Sequence, residues 1–325
     1  MMIGLNLRKI SYVLPERIET NAQLKIKHPN WNIDEIEKKT GITKRYISKE
    51  NETSLDLGFL ASKNLFQEYQ INQNQIDSIL FISQSADYAL PSSSCILQEK
   101  LSLRKDILAL DINLGCSGFV NSLAVASSLI KSNMINNCLI VCAETYSKYI
   151  DEYDRTNKLI FSDASSACLV EKDLNLNSYI GNFCFGCDGS GAEELIVKGS
   201  GARNNIEKNK QKLFMNGPAI LLFTLNQVPK LLSETLKKNC LELNDIDLFI
   251  FHQASKIVLD LLAERIGINR LKMFSNLDSK GNTVSCSIPI ALKDAYQENH
   301  LFLNQRVLII GFGVGYSLGA TIIKW

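Results

Sequence analysis

The sequence predicts an α/β protein built from two related halves. Three observations predict it: a long-period repeat, strands that are apolar at nearly every position, and a helix that is small or apolar on nearly every side. The repeat comes first, because self-similarity at a long period decides the fold. INQNQIDSILFIS, Ile71 to Ser83, resembles LELNDIDLFIFH, Leu241 to His252. In each, a polar turn leads through Ile-Asp (Ile76-Asp77, Ile246-Asp247) into an apolar run, the pattern of a buried strand. Each strand ends in a glutamine-bearing loop, SQSA in the first half and HQAS in the second.

A second apolar segment follows each strand and leads through a turn into a helix: ILALDINLGCSGFVNSLAVASSLIKS, then LKMFSNLDSKGNTVSCSIPIALKDAYQ. Aligning the two sets Gly115-Cys116 against Gly281-Asn282. A third strand closes each unit, CLIVCAE at Cys138 to Glu144 and RVLIIGFG at Arg306 to Gly313. Strands apolar throughout belong to parallel pairings in a sheet covered on both faces, and the helix after Cys116 has to lie between layers. The halves divide as residues 1–172, which carry the cysteine, and residues 173–325, which carry His252 and Asn282. Little glycine- or serine-rich linker separates them, so they form one fused unit. GSGARNNIEKNKQK, Gly199 to Lys212, is expected as a surface excursion.

Composition removes several function classes. A chain of 325 residues, 46% hydrophobic and 21% charged, is too apolar for disorder. Net charge is +1, and Lys and Arg gather only in short clusters such as Lys208 to Lys212, which argues against a nucleic-acid partner. The N-terminus lacks a signal-type apolar region, and no apolar run approaches the roughly 18 residues of a membrane span, so a cytoplasmic protein is expected. Nine cysteines without regular spacing are expected to be reduced, most of them small core residues. The lone CxxC pair, Cys184 and Cys187, has no second pair and no nearby histidine, so no metal site is expected.

Cys116 follows an apolar strand and opens an apolar helix, where unpaired N–H groups and the helix dipole favour a thiolate. For the other eight cysteines a buried structural thiol is the expectation. His252 ends a buried strand, at the sheet edge where parallel sheets place their ligands. His28 and His300 sit in polar segments and are expected at the surface. Asn282, a non-titrating hydrogen-bond donor, occupies the position matching Cys116; an ordinary helix cap is its rival role. Gly311, Gly313, Gly315 and Gly319 in GFGVGYSLG leave room for a ligand near the backbone. A dinucleotide-binding turn needs a helix next, and ATIIKW reads as a strand.

The segments GCSGF, HQAS, GNTVSCSIPIAL and GFGVGYSLG, with TGITKRYIS at Thr40 to Ser48, resemble beta-ketoacyl-ACP synthase III of the thiolase superfamily, nearly end to end. That resemblance implies a thiolase-like five-layered αβαβα sandwich and a homodimer. It implies that Cys116 takes an acyl group from a thioester, and that a malonyl thioester, on acyl carrier protein or coenzyme A, then loses carbon dioxide and attacks it. By the same resemblance, His252 and Asn282 hold the enolate, and the backbone N–H groups of Cys116 and Val314 hold the acyl carbonyl oxygen. Arg155, Gly217, Ser255, Lys39 and Lys256 correspond to residues around the coenzyme A and pantetheine path, and Leu90 to a residue inserted into the partner's acyl pocket. Acyl-CoA or phosphopantetheine thioesters are implied as substrates, with no tightly bound cofactor.

Departures from the family pattern bear on substrate choice. Lys39 replaces an arginine, Trp31 is displaced from the adenine-stacking position, Ser255 replaces an asparagine, and Leu222 and Ile257 replace basic residues that dock carrier and phosphates. They favour a carrier-bound donor or a specialised pathway. The rival functions are acyl transfer to an alcohol or amine on the same fold, and a non-catalytic partner subunit. A cysteine hydrolase also uses Cys, His and Asn, but its fold would not produce the repeated halves.

Overall fold

The computed structural model describes residues 4–173, 178–203, 207 and 211–325. Of the expected surface excursion, residues 204–206 and 208–210 lie outside the described residues, and with them most of the Lys208 to Lys212 cluster. The first half runs β1 (Gly4–Val13), β2 (Arg17–Thr20), α1 (Asn21–Lys27), α2 (Ile33–Thr40), β3 (Lys44–Ile47), α3 (Ser54–Glu68), β4 (Ser78–Ile82), α4 (Ser93–Lys100), β5 (Leu108–Ile112), α5 (Gly118–Lys131), β6 (Asn137–Glu144) and β7 (Ala164–Asp173). The second runs β8 (Tyr179–Ile180), β9 (Cys184–Cys187), β10 (Leu195–Val197), β11 (Leu213–Met215), α6 (Gly217–Lys238), β12 (Leu248–Phe251), α7 (Lys256–Ile266), α8 (Leu277–Lys280), α9 (Ser287–Gln297), β13 (Arg306–Gly313) and β14 (Ser317–Lys324).

Two mixed sheets result, ordered β1-β7-β6-β4-β5 and β12-β13-β14-β8, with β9 also pairing with β14. β4 lies parallel to β6 as β12 does to β13, and the next strand is antiparallel in each, β7 or β14. The first sheet adds β5 parallel to β4; in the second, that place is held by a single bridge from Phe249 to Met273.

The repeated Ile-Asp has a structural cause. Asp77 Oδ2 accepts from the Asn137 N–H at 3.1 Å, and Asp247 Oδ2 accepts from the Arg306 N–H at 2.8 Å. Each carboxylate thus pins the first residue of the neighbouring parallel strand, while Ile76 and Ile246 are fully buried.

Side chains alternate across each strand, so strands apolar at every position serve two cores. Leu80 and Ile82 of β4 face a central core with Ile250, Ile309 and α5 residues Phe119, Val120 and Leu123; Ile79 and Phe81 face an outer core with Leu55, Leu65 and Leu97 of α3 and α4. In the second sheet, Leu248 and Ile250 face the centre, and Phe249 and Phe251 face Val228, Leu231 and Leu259 of α6 and α7. The order of layers is α3 and α4, first sheet, α5 and α9, second sheet, α6 and α7. This is the five-layered sandwich, and α5 is buried along its length in it, with Gly118, Ser122, Ala126 and Ser127 beside Phe119, Val120, Leu123 and Ile130.

The division at 172/173 falls at the last residues of β7. Cys138, Cys142, Cys168, Cys184 and Cys286 are buried small residues, while Cys95, Cys187 and Cys240 are exposed. His28, expected at the surface, is only 8% exposed, because its ring stacks on Trp31 with centroids 3.9 Å apart. No helix among the described residues is long and apolar enough to cross a membrane.

Candidate active site

Cys116, His252 and Asn282 line one cavity of about 510 Å³. Each comes from the C-terminal side of a repeat element: Cys116 from the turn between β5 and α5, His252 directly after β12, Asn282 between α8 and α9. Ile160, Phe161, Leu195, Met215, Leu221 and Phe312 make much of the remaining wall apolar.

The position of Cys116 depends on glycines in the other half. A Cβ on Gly313 would lie 2.9 Å from Cys116 Cβ, and one on Gly311 would lie 2.7 Å from Ser117 Cα and 2.8 Å from the Cys116 carbonyl oxygen. These glycines make room for the cysteine loop itself, where the sequence suggested room for a ligand. Ser117, the N-cap of α5, turns its hydroxyl to Ser317 at 2.7 Å and does not cap the helix. Among the described residues, no carbonyl takes up the N–H of Cys116 or of Val314.

The expected resting thiolate is corrected. The helix begins at Gly118, two residues beyond Cys116, and burial pushes the thiol up to about 12, with the Glu144 charge adding to the effect. Desolvation here outweighs the helix dipole. His252 is buried too, and burial lowers it to about 3, so the ring is a neutral imidazole at working pH. Its Nδ1 meets Ser287 Oγ at 2.7 Å, and its backbone N–H donates to Ile310 at 2.8 Å. A serine hydroxyl donates or accepts, so Ser287 supports either tautomer of the ring.

Asn282 is not a helix cap; the helix that follows starts at Ser287 with Cys286 as N-cap. Its Oδ1 accepts from the Val284 N–H at 2.9 Å, and its own backbone bonds to Ile160 and Ser162 at 3.0 and 2.9 Å. Nδ2 has only a long 3.5 Å contact to the Ala254 carbonyl, which leaves it with donor capacity for a ligand.

Three residues of the site escaped the sequence reading. Glu144, at the end of β6, accepts from the Gln84 N–H at 3.1 Å, Ser85 Oγ at 3.0 Å and Ser285 Oγ at 2.7 Å, tying the segments after β4 and before α9 to its own strand. Burial pushes its carboxyl from 4.5 to about 8 against those bonds. The native state therefore keeps a proton that the unfolded chain has lost above pH 4.5. Stability is expected to fall as pH rises from about 4.5 to about 8, a slope that Glu144→Gln should flatten; chemical denaturation at a series of pH values reads it. Gln84 and Tyr146 are the other two, joined by a 2.6 Å bond from the tyrosine hydroxyl to Gln84 Oε1 in the cavity wall. The repeat offered a signal for Gln84, whose counterpart Gln253 is buried in backbone bonds instead.

Lys39, Gly217, Ser255 and Val314 also border the cavity, whereas Arg155, Lys256 and Leu90 do not. Arg155 is exposed, and Leu90 is 83% exposed. Lys39 pairs with Glu35 at 2.8 Å, and Lys256 pairs with Asp260.

Family models of 3-oxoacyl-[acyl-carrier-protein (ACP)] synthase III match residues 110–189 and, for its C-terminal part, residues 236–325. A beta-ketoacyl-[acyl-carrier-protein] synthase III of Caldanaerobacter subterraneus is 32% identical over 317 residues, 96% of this chain and 95% of that protein. One from Clostridium perfringens is 35% identical over 298 residues, 89% of this chain and 90% of that protein. A crystal structure of a 3-oxoacyl-(acyl-carrier-protein) synthase III superposes with a TM-score of 0.95 at 33% identity, covering 99% of this chain and 100% of that one. Matches of this extent place the molecule among the thiolase-like condensing acyltransferases. Within that class, the chain belongs to the beta-ketoacyl-[acyl-carrier-protein] synthase III family. Acyl transfer to an alcohol or amine, and a non-catalytic role, are not favoured by these matches.

Proposed function

We propose that the chain joins an acyl thioester to a malonyl thioester by decarboxylative Claisen condensation, with Cys116, His252 and Asn282 as the reacting set. The observation that carries this is the meeting of thiol, neutral imidazole and fixed carboxamide in one largely apolar cavity.

In the first step Cys116 Sγ bonds to the acyl carbon and the donor C–S bond breaks. Neither a thiolate nor an imidazolium is stable at rest here, so His252 passes the thiol proton to the departing thiolate within the same step. The carbonyl oxygen accepts from the Cys116 and Val314 N–H groups. In the second step the malonyl carboxylate leaves as carbon dioxide, and its electron pair moves onto the thioester as an enolate. Between the steps the imidazole gives up its Nδ1 proton and takes one at Nε2 by exchange with water; Ser287 then donates to Nδ1, and Nε2–H and Asn282 Nδ2 donate to the enolate oxygen. The carbanion attacks the acyl carbonyl, and Cys116 thiolate departs and takes up a proton from water, the one proton that the condensation consumes. The thioester itself is the electron sink, so no resident cofactor takes part.

The donor is carrier-bound in this scheme. Near the cavity, Leu222 and Ile257 are exposed and apolar, and Lys39 and Lys256 are each engaged by a carboxylate one turn away. These features suit a protein carrier better than the phosphates of coenzyme A, and a specialised cytoplasmic pathway better than general fatty-acid synthesis. The working unit is a homodimer. β5 is an open sheet edge with Leu108 and Leu110 exposed at 37% and 42%, and Leu90 stands out nearby for insertion into a partner. Incubation with acyl thioesters on carrier protein and malonyl-carrier is expected to release carbon dioxide and yield a beta-ketoacyl thioester. Consumption of the acyl donor without carbon dioxide would sink the scheme.

A further inference from the structure

We propose that Asp294 is a positioning residue that holds Asn282 where its carboxamide meets the enolate. The proposal rests on the condensation scheme set out above, and it adds to that scheme a residue that touches no substrate.

Asn282 lies two residues beyond α8, and α8 is a single helical turn. A turn that short has no stability of its own, so its place is set by the groups that grip it. Asp294, buried on α9 at 4% exposure, grips it at both ends. Asn276, the N-cap of α8, donates from Nδ2 to Asp294 Oδ2 at 2.8 Å, and Lys280, its last residue, brings Nζ within 3.9 Å of the same oxygen. Tyr12 of β1 completes the clamp: its hydroxyl donates to Asp294 Oδ1 at 2.8 Å and accepts from Lys280 Nζ at 3.2 Å. Burial, with the Asp294 charge adding to it, raises the Tyr12 hydroxyl further above its ordinary value and keeps it a donor.

The clamp sets the carboxamide against the imidazole. The Asn276 N–H donates to Gln253 Oε1 at 3.3 Å, so the start of α8 is registered on the residue after His252. At the other end only Gly281 separates Lys280 from Asn282. Its φ is +70°, and a Cβ there would lie 3.1 Å from Ser162 Cβ and 3.3 Å from Arg45 Cγ. That turn has no slack, so movement of Lys280 carries Asn282 with it. Thr43 holds the outer side of α8, donating to the Asp278 carbonyl from its N–H at 3.1 Å and its hydroxyl at 2.7 Å. His252 is fixed independently, by Ser287 and Ile310, so loosening α8 displaces the carboxamide and leaves the imidazole in place.

The test measures carbon dioxide release from malonyl thioester on carrier protein, and acylation of Cys116 by intact-protein mass, in the unaltered chain, Asp294→Asn and Tyr12→Phe. An amide at 294 turns a donor toward either Tyr12 or Asn276 and no longer carries a charge for Lys280. A misplacement of about 1 Å far from the chemistry can cost about 10²-fold, so Asp294→Asn is expected to slow carbon dioxide release by about tenfold or more, and Tyr12→Phe by about threefold. Acylation is expected to stay within a few-fold of the unaltered chain. The decisive comparison adds Asn282→Ala: with the carboxamide gone, Asp294→Asn is expected to cost less than about twofold more. A residue that merely supports the fold costs the same in either background. Thermal melting identifies a variant that has lost its fold, and Tyr12→Phe in the same two backgrounds then gives the answer. Unchanged carbon dioxide release in a folded variant, an equal loss with and without Asn282, or a matching loss of acylation overturns the positioning role while leaving the condensation scheme intact. No carbon dioxide from the unaltered chain overturns both.

Discussion

Cys116→Ala is expected to abolish acyl-enzyme formation while malonyl decarboxylation continues. The first step requires a sulfur that bonds to the acyl carbon, and none of the other cysteines lines the cavity. The second begins with loss of carbon dioxide, for which the imidazole and carboxamide are sufficient and both remain. Mass spectrometry of the intact protein after exposure to acyl thioesters should show no adduct on the variant, and the beta-ketoacyl product should be absent. Carbon dioxide release from malonyl thioester should persist, uncoupled from product. An adduct on Cys116→Ala would mean that another thiol carries the acyl group. Cys95, Cys187 and Cys240 are the exposed candidates.

Asn282→Ala is expected to give the opposite division: a normal acyl adduct and slow decarboxylation. The carboxamide is held by Val284 and by two backbone bonds, so Nδ2 is fixed before the enolate forms and contributes most when charge develops there. Loss of one preorganised donor of this kind costs about 10²- to 10³-fold in rate. Its expected signature is a fall of that size in carbon dioxide release, with acylation of Cys116 within a few-fold of the unaltered chain. The two variants thus separate the half-reactions. Loss of acylation in folded Asn282→Ala would place the carboxamide in the first step.

The duplicated sandwich was legible because its signals are local and periodic. Ile76-Asp77 and Ile246-Asp247 recur because both carboxylates fasten a neighbouring strand, and the unbroken apolar strands recur because each sheet has a core on either face. The convergence of Cys116, His252 and Asn282 followed from matching the halves. What failed depended on contacts between distant segments. His28 stands in a polar stretch, yet the fold sets the edge of Tyr153, from far along the chain, against its ring while Trp31 stacks on it. The helix after Cys116 favours a thiolate, but burial under β13, with the Glu144 charge adding to it, turns the shift the other way. Tyr146 and Gln84 sit at the ends of different strands, and their bond leaves no periodic trace in the chain.

The glycine strand that presses on the cysteine turn divides ownership of the reactive centre. Ser317 reaches Ser117 across 200 residues of chain, and Gly311 and Gly313 set how near the second sheet can come. A fragment ending at β7 would keep its sulfur but lose the wall that positions it. Neither half alone therefore holds a complete centre: the sulfur belongs to one, and the backbone that seats it belongs to the other.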